Sequence, residues 1–328
     1  MAIEMGYTPQ KIIFNGPIKS KGQFIYAIRN HSIVNIETQR EVDWLIEEAE
    51  NSTEIFAVGL RINIDLIHLL QEEATHLEGG RFGFYEEALP NVIRRLKKQK
   101  NIKINGLHLH TSSKNRSIEV YRLIGQTAVN IINEYQLELD YLDIGGGFFF
   151  SGEVNDAAFD AYFFCIKEVL SDTLKQRKMT IVVEPGASLI ASPVSFVTSV
   201  VDTKQNKENC FVTTDGSRTN IDPLMQKYTY DFSIVPKQNK KNKDLIEKQI
   251  IAGFTCMEND RLFQLKNTFA LDIGDKIIYH KVGSYTMTLS PLFISYFPAV
   301  YVKKIDGKIE IVRNKWTAKE YSQGGEVR

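Results

Sequence analysis

The sequence has little that could hold it together covalently. Only three cysteines occur in 328 residues, Cys165, Cys210 and Cys256. They are odd in number, far apart and in no CxxC or Cys/His spacing, which argues against a disulfide framework and a structural zinc site and fits a reducing cytoplasm. Excess charge is also missing, since Lys+Arg and Asp+Glu both count 40. Without a basic field, neither nucleic acid nor an anionic membrane is the expected partner. The dense basic run from Lys237 to Lys243 is interleaved with Gln and Asn and reads as a solvated loop. No apolar run reaches the roughly 18 residues needed to span a bilayer. Met1–Gln10 has neither the basic nor the apolar part of a signal peptide.

What is present is a texture that changes along the chain. Over the first 190 residues, short apolar strands alternate with amphipathic stretches. Strands are expected at Ile12–Asn15, Ile33–Glu37, Ile55–Asn63, Ile102–His110, Tyr141–Gly145 and Thr180–Glu184. Helices are expected at Asp43–Glu50, Glu86–Gln99, Ile118–Tyr135 and Ala157–Lys175. This alternation implies βαβ units and a parallel sheet. A closed (β/α)8 barrel needs eight strands and six are legible, and Met1–Gly6 reads as the end of a helix, so the expected fold is a TIM-like barrel lacking its first βα units. After Pro193 the strands become short, β-branched or aromatic: Val194–Val201, Cys210–Thr214, Phe232–Val235, Gln249–Thr255, Lys276–Lys281, Ala299–Lys303 and Lys308–Val312. Asp215-Gly216 and Asp306-Gly307 are turn dipeptides. Residues 191–328 are therefore expected to form a C-terminal β-barrel or sandwich, with the boundary near Ala191–Pro193.

Several motifs carry chemistry. In Lys103–His110, period-two alternation puts His108 and His110 on one face and Leu107 and Leu109 on the other. The leucines would pack under helices, and the histidines would point inward near the strand's C-terminal end, where parallel barrels keep their sites. One inward histidine could be a satisfied core residue; two, followed by Thr111-Ser112-Ser113, point to a site. Gly145-Gly146-Gly147, directly after a strand, can aim backbone N–H groups at an anion such as phosphate. Glu184, in Val183-Glu184-Pro185-Gly186, ends an apolar strand and needs a partner if buried. A protonated pyridine nitrogen would serve, and so would a local Arg or Lys. Cys256 through Asp260 places a thiol and two acids beside a turn, and Tyr285 follows Gly283-Ser284.

In this order, Gly106–Ser113, Asp143–Phe148, Glu184-Pro185-Gly186, Cys256–Asp260 and Gly283-Ser284-Tyr285 resemble the signatures of the ornithine/diaminopimelate decarboxylase family. Phe14–Ser20, Leu60–Asn63 and Arg81–Gly83 fall where that family has similar segments. The resemblance implies an alanine-racemase-like barrel followed by a β-domain, with pyridoxal 5'-phosphate as cofactor and α-decarboxylation of an amino acid through a Schiff base. It implies a homodimer with shared sites, in which Cys256 donates a proton in the partner's site. His110 would stack on the cofactor ring. Ser113, Gly145, Gly146, Gly147, Gly186 and Tyr285 would hold the phosphate region, and Glu184 would pair with the ring nitrogen. Met257, Glu258 and Asp260 would line the substrate beside Cys256.

Three departures bear on that expectation. The family's Schiff-base lysine lies in a Lys-Ala-Asn-like motif upstream of the segment resembling Met1–Ser20, and no such motif occurs here. This chain alone is accordingly expected to be inactive. Ala187 stands where an Arg usually follows Glu-Pro-Gly, and Met257 stands where an acid usually reads the substrate's distal ammonium. Two other readings remain open on the sequence: a racemase of the same fold, disfavoured by Cys256–Asp260, and an inactive regulatory or binding homologue.

Overall fold

The computed structural model describes residues 1–64, 80–111, 117–148, 156–176, 178–237, 245–323 and 325. The chain divides into two compact units, Met1–Ser188 and Leu189–Arg328.

In the first unit, strands β1 (Ile13–Phe14), β2 (Ile33–Ile36), β3 (Phe56–Ile62), β4 (Ile102–Leu109), β5 (Tyr141–Asp143) and β6 (Thr180–Val182) form one sheet in sequence order. All its pairings are parallel. Among the described residues the first unit is thus a six-stranded, all-parallel sheet. The intervening helices are α1 (Lys21–Arg29), α2 (Gln39–Glu50), α3 (Leu89–Lys97), α4 (Ile118–Tyr135), α5 (Asp156–Val169) and α6 (Ser171–Gln176). Hydroxyl caps start three of them: Ser20, Thr38 and Ser117 accept from the backbone N–H groups of Gln23, Glu41 and Val120. Helix α1 is absent from the sequence expectation, although Ser20 and the Phe24, Ala27, Ile28 spacing signal it. The stretch expected as one helix over Ala157–Lys175 is two, α5 and α6, separated at the buried Leu170. Met1–Gly6 forms a turn closed by the Met5 N–H on the Met1 carbonyl.

The outward faces of the strands (Val34, Ile36, Val58, Leu60, Leu107, Leu109, Leu142) pack with Leu45, Leu96, Ile124 and Ala128 of the helices into one buried core. Burying such side chains contributes about 1.5–3 kcal/mol each. The opposite faces are polar, and register stacks them. Asn35 lies opposite Gly59, Gly59 opposite Gly106, and Gly106 opposite Tyr141. One step toward the strand ends, Arg61 lies opposite His108 and His108 opposite Asp143. Each strand stops earlier than its pattern suggests. Asn15, Glu37, Asn63, His110, Gly145 and Glu184 all fall just past the last paired residue. Their side chains reach the site although some backbones stay paired, the Glu184 N–H donating to the Gly145 carbonyl and the Asn63 N–H to the Phe84 carbonyl.

The second unit contains β7 (Phe196–Gln205), β8 (Cys210–Thr214), β9 (Phe232–Val235), β10 (Leu245–Ala252), β11 (Arg261–Phe269) and β12 (Lys276–Tyr279) in a mixed sheet of order β11-β10-β8-β7-β12-β9. A separate hairpin joins β13 (Val300–Lys303) and β14 (Ile309–Arg313) across Asp306-Gly307. Asp215-Gly216 leads instead into the one-turn helix Arg218–Ile221. β11 went unread in the sequence, because its apolar residues are interrupted by Gln264, Lys266 and Asn267. It pairs antiparallel with β10 and buries Leu262 and Leu265 against Val212, Ile251 and Tyr279. Among the described residues no helix is long and apolar enough to cross a membrane.

The Tyr141 ring requires the gap left by Gly59 and Gly106. A Cβ on Gly106 would fall on the ring itself, and one on Gly59 would fall on the Tyr141 hydroxyl and the Asn35 carbonyl oxygen. Tyr141 is buried and cannot swing away. Gly106→Ala is therefore expected to destabilise the protein by about 1–3 kcal/mol through overpacking, read as a lowered midpoint in urea or thermal unfolding. An unchanged midpoint would mean that the ring is not locked in this gap.

Candidate functional site

The polar ends of the first unit's strands meet at the C-terminal edge of its sheet. Asn15, just past β1, donates its amide to Oε1 of Glu184, just past β6. The sheet must therefore curl until the ends of its first and last strands approach. The same Asn15 nitrogen lies 3.4 Å from Asp143 Oδ2. Asn35 Nδ2 donates to Asn15 Oδ1 at 2.8 Å, and the Tyr141 hydroxyl donates to Asn35 Oδ1 at 2.7 Å. Burial, with Asp143 nearby, drives the Tyr141 phenol far up from its usual value, so it remains a donor.

His108 is 1% exposed, and among the described residues neither of its ring nitrogens has a hydrogen-bond partner. Its Nε2 is 3.9 Å from Glu184 Oε1. Burial first, then the positive charge of Arg61, His110 and Lys19, pushes its pKa down to about 3, so the ring is neutral. His110 lies alongside with ring centroids 6.4 Å apart and planes within 24°. Burial and Arg61 lower its pKa too, against the opposing pull of Glu184. Asp143 shifts the other way: burial and the neighbouring Glu184 raise its carboxyl, against the Gly145 N–H and Asn15. His108, Asp143 and Glu184 bring one ligating atom each within 4.8 Å of one another. The Asn15 amide donates into both carboxylates there, so the cluster is closed by an amide.

Behind these groups lies a buried ion network. Lys19 Nζ sits 3.1 Å from Glu41 Oε1 and 3.9 Å from Glu37 Oε1, and donates to the Gly16 carbonyl at 2.9 Å. Arg61 reaches Glu37 at 3.7 Å and stacks over Phe82 with 4.7 Å to the ring centre. The Gly83 N–H donates to Glu37 as well. Removing one member of such a network leaves a buried charge uncompensated, at about 3–5 kcal/mol.

The sequence-predicted residues fall as follows. His110, Glu184 and Gly145–Gly147 gather at this edge, with Gly186 exposed just before the one-turn helix Ala187–Ile190. The glycine loop differs from an open anion cradle. The Gly145 N–H donates to Asp143 Oδ1 at 2.9 Å and the Gly146 N–H to His110 Nδ1 at 3.3 Å. Gly145 has φ +68°, and a Cβ there would overlap the His110 ring. Ser113 lies outside the described residues. In the second unit, Cys256 is exposed, and with Phe211, Thr255, Met257, Glu258 and Arg261 it lines a cleft of about 310 Å³. Glu258 is paired with Arg261 at 2.7 Å. Asp260 is 2% exposed and organises the loop, accepting from the backbone N–H groups of Arg218 and Thr255 and from the Thr255 hydroxyl. Tyr285 is exposed at φ +64°. Asn15, Asn35, Arg61, Tyr141 and Asp143 received no role from the sequence. Their common signal was a polar residue at alternate positions near each strand's C-terminal end.

These residues fit a pyridoxal group on two observations. Among the described residues, neither nitrogen of buried His108 has a hydrogen-bond partner. The Glu184 side chain, 39% exposed, has one edge held by Asn15 and the rest available.

The neutrality of His108 has a measurable consequence. The folded state keeps the ring unprotonated down to about pH 3, whereas the unfolded chain takes a proton near the usual 6.5. Its contribution is therefore intact above about pH 6.5 and is lost as pH falls through that window. Relative to His108→Gln, the wild type should lose about 1.4 kcal/mol of unfolding free energy per pH unit between pH 6 and 4. Denaturant titrations of both proteins at each pH check this, and a pH-independent difference would contradict it.

Comparison with known proteins agrees with the sequence and the fold. Residues 1–191 match the family model described as the pyridoxal binding domain of pyridoxal-dependent decarboxylases, and residues 151–283 match the C-terminal sheet domain. A probable chloroplastic diaminopimelate decarboxylase of Oryza sativa subsp. japonica is 26% identical over 98% of this chain. The chain spans 66% of that relative's length. The L-glutamyl-[BtrI acyl-carrier protein] decarboxylase of Niallia circulans is 26% identical over 97% of this chain and 78% of its own. The crystal structure of Helicobacter pylori diaminopimelate decarboxylase complexed with L-lysine shares the fold, with a TM-score of 0.79 at 21% identity over 98% of this chain and 80% of that one. With a family model covering more than half of its residues, the chain belongs to the pyridoxal-dependent decarboxylases.

Proposed function

We propose that this chain carries the cofactor and substrate sites of an amino acid α-decarboxylase, and that its substrate's distal end is not a free ammonium. The observation that supports the cofactor assignment is Glu184, a carboxylate anchored on one edge by Asn15 and open on the other. Pyridoxal phosphate bound there supplies an electron sink for the pair left on Cα when carbon dioxide departs. Glu184 would keep the ring nitrogen protonated, and neutral His108 would add no competing positive charge. His110 would pack against the ring, with its Nδ1 fixed by Gly146. Gly145–Gly147, Gly186, Ser113 and Tyr285 are proposed for the phosphate. Cys256 is proposed to return a proton to Cα.

Lys19 is the buried lysine of the first unit among the described residues, and its ammonium is held by Glu41, Glu37 and the Gly16 carbonyl. Enclosed and engaged by these acceptors it is not presented to a carbonyl, so Lys19 is not the Schiff-base lysine of this reading. Incubating the protein with pyridoxal phosphate, reducing with borohydride and mapping peptides should give no adduct at Lys19. A Lys19 adduct would refute this assignment.

The substrate reading is supported by Met257, a thioether that cannot satisfy an ammonium, and by Glu258, whose exposed carboxylate is paired with Arg261. One relative is named for a glutamyl group carried on a protein, which has no free distal ammonium. Losing one charge-assisted hydrogen bond costs about 1.5–3 kcal/mol, or more than tenfold in affinity. Carbon dioxide release should therefore favour distally blocked or conjugated amino acids over ornithine, lysine and diaminopimelate by at least about tenfold. Best turnover of a free diamino acid would mean that Glu258 reads the distal end. Cofactor binding without release from any substrate would favour the inactive homologue.

A further inference from the structure

The reaction proposed above uses Glu184 but gives no work to the buried hydrogen bonds behind it. We infer that Tyr141, Asn35 and Asn15 form a one-way hydrogen-bond chain that orients Glu184 and keeps it ionised, with Asn15 as the positioning residue. The inference rests on the reading of Glu184 as the partner of a ring nitrogen.

The direction of the chain follows from which groups can donate. At its far end stand two carboxylates, which accept when ionised and are both presented to the Asn15 nitrogen. That nitrogen spends its two hydrogens on Glu184 and Asp143, so the Asn15 oxygen must face Asn35. There it accepts from Asn35 Nδ2. The Asn35 oxygen is left facing Tyr141, whose hydroxyl donates to it. Turning over either amide alone would set carbonyl against carbonyl or carbonyl against carboxylate. Every bond therefore points toward the acids, from a buried phenol out to a partly exposed carboxylate, and aligned bonds polarise one another most at the buried end.

The fold gives up side chains to make this possible. Tyr141 lies opposite Gly106, which lies opposite Gly59, which lies opposite Asn35, so the phenol reaches its acceptor by crossing two strands that have no Cβ. A phenol needed only for core packing would not require its hydroxyl to be delivered across both of them. The charged and titratable groups facing Glu184 are Asp143 on β5 and His108 and His110 on and after β4. Arg61 on β3 and Lys19 after β1 act on those histidines. The Asp143 carboxyl, raised by burial and by Glu184, also hydrogen-bonds Glu184 and shares a proton with it. Asn15 is the neutral donor to Glu184, the one that holds this carboxylate in place without supplying it a proton.

The test reads Glu184 directly in the cofactor-free protein. Side-chain 13C NMR, with the Glu184 signal assigned from Glu184→Gln, gives its titration midpoint in the wild type, Asn15→Ala and Tyr141→Phe. Thermal melting confirms that each variant is folded. Asn15→Ala should raise the midpoint by about one pH unit, the equivalent of one charge-assisted hydrogen bond. Tyr141→Phe should raise it by less, because it removes the head of the chain and frees Asn35 to turn over. With 15N-labelled pyridoxal phosphate bound, the ring nitrogen signal should move toward the unprotonated form in the same order. Midpoints unchanged in folded variants would overturn the chain. Should Tyr141→Phe fail to fold, Asn15→Ala decides alone. If the midpoints shift but Glu184→Gln leaves the ring nitrogen signal and cofactor affinity as they were, the chain stands and the ring-nitrogen reading falls.

Discussion

The site depends on a gap two strands wide. Tyr141 lies flat across Gly59 and Gly106 to reach Asn35, and everything polar above it is stacked on that layer. The parallel register makes this possible, because residues opposite one another on neighbouring strands point the same way. A side chain at either glycine would evict the ring, and with it the donor that begins the path to Asn15. Two residues with no side chain thus determine where a carboxylate two strands and two amides away can sit.

Charge is managed one layer nearer the strand ends. Two cations, Lys19 and Arg61, face two buried acids, Glu37 and Glu41, so the ion network is locally balanced. Such networks contribute little net stability, because desolvation offsets most of the attraction, but they are costly to break. Their field reaches the site. Arg61 and Lys19 help hold His108 neutral, while burial and the neighbouring Glu184 raise the Asp143 carboxyl. The pocket edge is therefore left with an acidic character, suited to a cationic ring.

The second unit shows how a loop motif can mislead. Cys256 to Asp260 looks like a run of reactive residues, yet Asp260 is turned inward and ties the loop to Thr255 and Arg218. A Cβ on Gly253 would overlap that carboxylate, so glycine and acid belong to one tightly closed turn. The turn presents Cys256, Met257 and Glu258 along one cleft. Glu258 there is paired with Arg261.

Local pattern alone was enough for every described strand but β11, because a two-residue period is written in adjacent residues. The ordered motifs likewise carried the family. Helix α1 and strand β11 were missed where Gly22, Gln264 or Lys266 interrupts a periodic face. What tertiary structure decided is which distant groups meet. Nothing near Asn15 in the chain says that it will hold Glu184, 169 residues away, or that Asn35 will accept from Tyr141, 106 residues away. Those contacts exist because the sheet curls and its registers align. Curl and register are set by packing across all six strands, and no single segment encodes them.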